Sequence, residues 1–262
     1  ADGTYAGAGN KNLSWSGKYI TVRSASGAEN CIIDCQNNGR GFYFSETGQN
    51  SSDVIDGFTI RNGYAAGGIP GWPNSGGGGI HCNSSSPTIL NCIITGSAAW
   101  DGGGIFCNSS SSLILNCIIT GNTATYGGGI HCRNFSPTIT NNIISGNSGY
   151  GIYEWDINSD PPTNYNCFCN NAPGDYYDEG STPRTVVWLN TTAGYTGNIF
   201  ADPQFIEGDD YHLQATSPCI NAGTNCAGLP PTDKDGNPRI VHSIVDMGAY
   251  EFHGDFLQIR FL

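Results

Sequence analysis

Three near-copies of one segment follow each other at a fixed spacing. They are GGGIHCNSSSPTILNCIITG (77–96), GGGIFCNSSSSLILNCIITG (102–121) and GGGIHCRNFSPTITNNIISG (127–146), so that Ile80, Ile105 and Ile130 fall 25 residues apart. A fixed period in the 20–50 range means stacked supersecondary units. Each copy holds short β-branched runs broken by Gly, Asn, Ser and Pro, and none shows a helical period. That combination predicts a parallel β-helix in which one copy is one coil of about three short strands.

The coil can be traced outward. Ile94, Ile119 and Ile144 mark one core position, and Ile33, Ile60 and Phe168 continue it. Residues 19–171 then make about six coils, stacked at ~4.8 Å each. VVWLN (186–190) and GNIF (197–200) are expected to add one or two more. The Gly/Pro/Trp-rich stretch 64–77 is expected to overhang one end of the groove. From Ala201 the repeat stops, so 1–200 are expected to be coils and 201–262 an irregular C-terminal cap on the same single domain, covering an end that would otherwise expose core and sheet edge.

Composition limits the function classes. Among 262 residues the net charge is −12 and only three are Lys, which disfavours nucleic acid and anionic membranes as partners. No apolar run reaches the length of a membrane span. With 12% charged and 38 Gly residues the chain is turn-rich and not of the disordered type. The chain opens at Ala1 without Met or a signal-like segment, as a processed product would.

Eleven Cys are present. Cys82, Cys107 and Cys132 recur at the coil period, as do Cys92 and Cys117, and parallel Cβ directions one coil apart suit stacked thiols better than disulfides. Cys219 and Cys226 are the better disulfide candidates, with Cys31/Cys35 and Cys167/Cys169 behind them. Asn91, Asn116 and Asn141 form another column, expected to be an asparagine ladder at a left-handed turn with amides bonded above and below. The sequons at Asn83, Asn108 and Asn134 read as turn composition.

The coil units, with ADPQF (201–205), DYHLQATSPCINAG (210–223), DKDGNPR (233–239) and VDMGAYEF (245–252) after them, resemble bacterial right-handed parallel β-helix repeat proteins. They are most similar to the secreted choice-of-anchor group, and the GGGI units resemble the repeats of polymorphic outer-membrane proteins. The resemblance covers nearly the whole chain. It implies a right-handed fold, an extracellular or cell-surface location, and a longer parent with an N-terminal cap and an anchor or dockerin-like tail, of which this chain would be a fragment.

Strand periodicity places the candidate site. With Ile and Cys of GGGI-x-C inward, the residue between them points outward. One exposed column therefore reads Tyr43, His81, Phe106, His131, Tyr153, flanked by Asn83, Asn108 and Arg133. Strand faces of this kind form the substrate groove of many β-helix lyases and hydrolases. Trp100, Tyr126, Tyr150 and Trp155 are expected on or beside it, where rings can stack on sugars. Tyr43, Phe106, Trp100, Tyr126 and Trp155 are thus candidate substrate contacts.

Two catalytic constellations can be drawn there. His81 or His131 as base, Tyr153 as acid and Arg133 as carboxylate neutraliser would suit β-elimination from a uronide, although the net charge opposes an anionic substrate. Asp101 with Glu154 or Asp156 would suit glycoside hydrolysis by paired carboxylates. Asp233, Asp235 and Asn237 resemble the opening of an EF-hand loop and are the only candidate Ca²⁺ ligands; a hairpin turn is the competing expectation. His212 is expected to be structural. The sequence thus points to a β-helix that recognises a polysaccharide or cell-surface glycan, as a lyase or glycosidase. The alternative is a non-catalytic cell-surface, adhesive or structural assembly module.

Overall fold

A computed structural model describes residues 2–15, 18–25, 31–65, 75–180 and 183–254. Three parallel sheets wind into one solenoid. The GGGI sheet stacks Phe42–Ser45, Ile80–Asn83, Ile105–Asn108, Ile130–Arg133, Ile152–Glu154 and Tyr176–Tyr177, closed by the antiparallel Pro183–Arg184. The SPTI sheet runs from Thr21–Arg23 through Thr88–Leu90, Leu113–Leu115 and Thr138–Thr140 to Thr163–Asn164. The NCII sheet has eight strands, from Gly3–Tyr5 to Ile199–Phe200.

The register is the one the repeat requires. Ile80 pairs with Ile105 and Ile105 with Ile130, which sets one coil at 25 residues. Ile33, Ile60, Ile94, Ile119, Ile144 and Phe168 stand in one unbroken column. These side chains fill the interior, each contributing about 1.5–3 kcal/mol of burial. The glycines of the motif have distinct jobs. Gly102 takes a φ of +59°, while a Cβ on Gly103 would lie 2.5 Å from the Thr123 carbonyl, so only Gly lets the coils stack here.

All eleven thiols are free, and Cys82, Cys107 and Cys132 stack in register inside the core. The expected Cys219–Cys226 bridge is absent because Cys219 is buried in the cluster that holds Cys167, whereas Cys226 lies partly exposed. Cys31 and Cys35 sit at opposite ends of one extended segment, beyond bonding reach, and Cys167 and Cys169, on either side of Phe168 in one strand, are free as well.

The amide ladders are not where the sequence reading put them. Asn91, Asn116 and Asn141 do take left-handed φ of 51–56°. Their side-chain N–H groups, however, donate sideways to Thr232, to Asp246 and Gly248, and to Thr224. True ladders occupy neighbouring columns. Asn122 donates to Asn147 at 3.1 Å and Asn147 to Asn171 at 2.9 Å. Asn142 donates to Asn166 at 3.0 Å, and Asn166 to Asn198 at 3.2 Å.

The C-terminal segment is therefore a strap along the flank, not a plug at the end. It covers the outer face of the NCII sheet, where Ile93, Ile118, Ile143 and Cys167 pack against Leu213, Cys219, Met247, Ala249 and Tyr250. That sheet is apolar on both faces, as a parallel sheet covered on both sides must be. The solenoid end is closed instead by the helix Val186–Thr191, capped by Thr185, with Val186 and Leu189 in the core. VVWLN was expected to add a coil; it folds as this helix. GNIF does add a strand, Ile199–Phe200, on Cys167–Cys169. Of the stretch 64–77, residues 66–74 lie outside the described residues. Among the described residues no helix is long and apolar enough to cross a membrane.

Candidate functional site

The expected outer column exists and is continuous. Tyr43, His81, Phe106, His131, Tyr153 and Tyr177 pair strand by strand on the outer side of the GGGI sheet. Their rings touch in sequence, with centroids 4.8, 5.2, 5.3, 5.5 and 4.3 Å apart. Phe106 thus lies on the same side as both histidines.

Half of the column is sealed, contrary to expectation. His81 is 0% exposed, and Phe106 and His131 are 1% exposed. The turn segments that lead into each GGGI strand fold over these rings. Gly76, Asp101 and Tyr126 bridge to one another one coil apart, and a Cβ on Gly76 would sit 2.5 Å from the Phe106 ring. His81 Nδ1–H donates to the Gly76 carbonyl at 2.9 Å, and its Nε2 has no hydrogen-bond partner. Burial, with Arg40 nearby, pushes the His81 pKa down to about 3, so it is neutral throughout the ordinary range. Tyr43 is half-buried beneath the Arg40 guanidinium, 4.9 Å from its ring centre.

Neither catalytic constellation is assembled. For elimination, a base must reach substrate, and both histidines are enclosed. His131 lies under Trp155, whose ring is 5.8 Å away and nearly parallel, and Arg133 stands 5.5 Å from the same Trp155. Burial and Tyr177 hold the Tyr153 phenol protonated well above its usual range. For glycoside hydrolysis, Asp101 and Glu154 do not share a face. Asp101 is buried beside the outer column, accepting from Ser75 at 2.7 Å, with Oδ1 3.5 Å from His131 Nδ1. Glu154 pairs in register with the core residue Cys132, so it points inward and accepts from the Tyr176 hydroxyl. Strand parity already required this, since Ile152 is inward and Tyr153 outward. Burial pushes Glu154 up to about 9. Asp156 is spent on the turn, accepting from the Asn134, Asn158 and Ser159 donors.

The other half of the face is open. Tyr126, Tyr150, Tyr153, Trp155 and Tyr177 form one contact group of rings 4.3–6.4 Å apart, all part-exposed and Trp155 at 37%. Sequence reasoning had singled out all of these except Tyr177, whose signal was its place one coil beyond Tyr153. Trp100 is exposed at 41% but touches none of these rings among the described residues; with Tyr64 it lines a separate shallow depression.

A family model for the right-handed β-helix region matches residues 9–191, which is most of the chain. The chain belongs to this family. No curated protein and no solved structure matches it. The matched span contains the complete outer column and the aromatic patch of this β-helix, while the strap falls outside it.

Three further places on the β-helix concern ligands. The expected Ca²⁺ ligands are used otherwise. Asp233 Oδ1 accepts from the backbone N–H groups of Asp235 and Asn237 and so holds the hairpin that Thr232 and Pro238 close, while its Oδ2 accepts from the Glu251 N–H. Asp235 binds His212 at 2.7 Å, and Asn237 takes part through its main chain. DKDGN is thus a turn. Asp235, with Asp210, pushes His212 up to about 9, making it an imidazolium stacked 3.9 Å from Tyr250. Separately, Glu154, Asp178 and Glu179 bring carboxylates within 4.8 Å of one another. Between strap and NCII sheet lies a cleft of about 640 Å³, between Arg61 and Glu207–Tyr211.

Proposed function

We propose that this β-helix is a non-catalytic recognition module that binds neutral glycans on the patch of Tyr126, Tyr150, Tyr153, Trp155 and Tyr177, at the outside of a cell. The observation that carries the reading is the split of the outer face. The histidines and carboxylates that chemistry would need are enclosed, whereas the aromatic rings beside them are open. Rings offered at one face suit the C–H surfaces of pyranoses. An acidic, Lys-poor surface favours neutral over anionic polymers.

The test is affinity electrophoresis and calorimetry against a panel of neutral polysaccharides, with Trp155→Ala and His131→Ala. Binding should weaken roughly threefold to tenfold in Trp155→Ala, the effect of losing one stacked ring. Reducing ends or unsaturated products at measurable turnover, abolished in His131→Ala, would overturn the non-catalytic reading.

A further inference from the structure

The strap sets one of its cysteines against a cysteine of the solenoid. Cys167 lies in the NCII sheet, in register with Ile143 and Ile199, and its side chain is on the outer face that the strap covers. Cys219 belongs to the strap and is buried in the same cluster. The two thiols are hydrogen-bonded to each other, and Cys167 Sγ also lies 3.2 Å from the Ala201 carbonyl oxygen. Both residues are fully enclosed.

Other thiols touch as well, but in a different geometry. Cys82 contacts Cys107 and Cys92 contacts Cys117, each pair standing in one column a coil apart. Side chains of one column point the same way, which fits the ~90° torsion of a disulfide poorly. Cys167 and Cys219 come instead from two facing surfaces, sheet and strap, so their side chains meet from opposite sides. Each backbone is pinned by its own partners. The Cys167 N–H donates to the Asn142 carbonyl at 2.8 Å and the Cys219 N–H to Ser217 Oγ at 3.2 Å, while the Cys219 carbonyl accepts from Met247 at 3.0 Å.

We propose that Cys167 and Cys219 close to a disulfide when the chain folds in the presence of an exchangeable small-molecule disulfide, stapling the strap to the coil beneath it. The step balances with oxidised glutathione as the oxidant. One cysteine thiolate attacks it, forming a mixed disulfide and expelling one glutathione thiolate. The other cysteine thiolate then attacks the protein sulfur of that mixed disulfide and expels the second. The two protons and two electrons lost by the protein thiols end on two molecules of glutathione. Exchange belongs to folding, before the strap docks, because the docked strap leaves neither sulfur accessible. Contact with Cys219 and burial also push the Cys167 thiol up, away from the reactive thiolate. The proposal does not depend on the aromatic patch or on what it binds.

Refolding from urea with reduced and oxidised glutathione tests it, followed by thiol blocking, peptic digestion and mass spectrometry. Cleavage beside Phe168 parts Cys167 from Cys169. A peptide joining Cys167 to Cys219 should dominate and should vanish on reduction. Closing a loop of roughly 50 residues should raise the melting temperature by roughly 5–10 °C over the same protein kept in dithiothreitol. Cys167→Ala/Cys219→Ala should lose that redox difference whatever its own stability, which separates the bond from the packing. Linkage of Cys219 to Cys169 or Cys226 in place of Cys167 would overturn the assignment, as would recovery of both cysteines as thiols from refolded protein. A redox shift of equal size in the double variant would overturn it too.

Discussion

Asn147 is the most informative single position for what holds the coils together. It is 1% exposed, and its amide makes four hydrogen bonds. Nδ2 donates to the Ile119 carbonyl at 2.9 Å and to Asn171 Oδ1 at 2.9 Å. Oδ1 accepts from the Asn122 backbone N–H at 3.0 Å and from Asn122 Nδ2 at 3.1 Å. Asn147→Leu keeps the volume and removes all four. Asn171 Oδ1 still receives the Asn147 backbone N–H, and Asn122 Nδ2 still reaches the Ile94 carbonyl. The Asn122 backbone N–H, however, loses its acceptor inside the protein. At about 0.5–1.5 kcal/mol per bond, with the higher cost of a stranded buried donor, the loss comes to about 4 kcal/mol. For a chain of this size that lowers the melting temperature by roughly 10 °C. Asn171→Leu, at the less enclosed end of the column, should cost about half as much. Urea unfolding measures the energies, and hydrogen exchange at the Asn122 amide reads the mechanism. A loss below about 1 kcal/mol, or an Asn122 amide as protected as in the parent, would refute the argument that amide columns bind coil to coil.

Two further outcomes follow from the strap. Arg239 is 1% exposed and donates to Glu251 at 3.1 Å, to the Gly248 and Ala249 carbonyls at 3.2 and 3.0 Å, and to the Asn91 side chain. Arg239→Met should cost about 3–5 kcal/mol in urea unfolding, because it leaves Glu251 enclosed without its cation; Arg239→Met/Glu251→Gln should recover part of that. Stability should also fall as pH rises from about 6.5 to 9. Asp235 raises His212 to about 9, so the folded chain holds a proton there that the unfolded chain releases. Melting temperatures across that window should drop, and His212→Gln should flatten the slope; a rising curve would refute it.

The repeat made the solenoid legible because a 25-residue period with β-branched columns has one way to stack. Strand parity likewise placed Tyr43, His81, Phe106, His131 and Tyr153 on one face in the right order. Parity says which way a side chain points but not what lies over it. The turns around Gly76, Asp101 and Tyr126 that roof the histidines recur at the coil period but with a different residue each time, so no column of like residues marks them. Glu154 was legible, since the rule that put Tyr153 outside puts the next residue inside. The strap had a signal too. Adjacent isoleucines at 93–94, 118–119 and 143–144 mean a sheet with two apolar faces, one of which something must cover. Its path along the flank was not legible, because it rests on bonds at Asn91, Asn116 and Asn141 to segments far apart in sequence.

The strap also fixes how many coils this molecule can have. A bare stack of identical units can gain or lose one with little penalty, since each touches only its neighbours. Here Thr232, Asp246 and Thr224 grip three successive coils at set heights. Duplicating one unit would put every grip beyond it out of step by ~4.8 Å, more than a hydrogen bond can follow. The flank segment therefore works as a ruler, and the length of the stack can change only if the ruler changes with it.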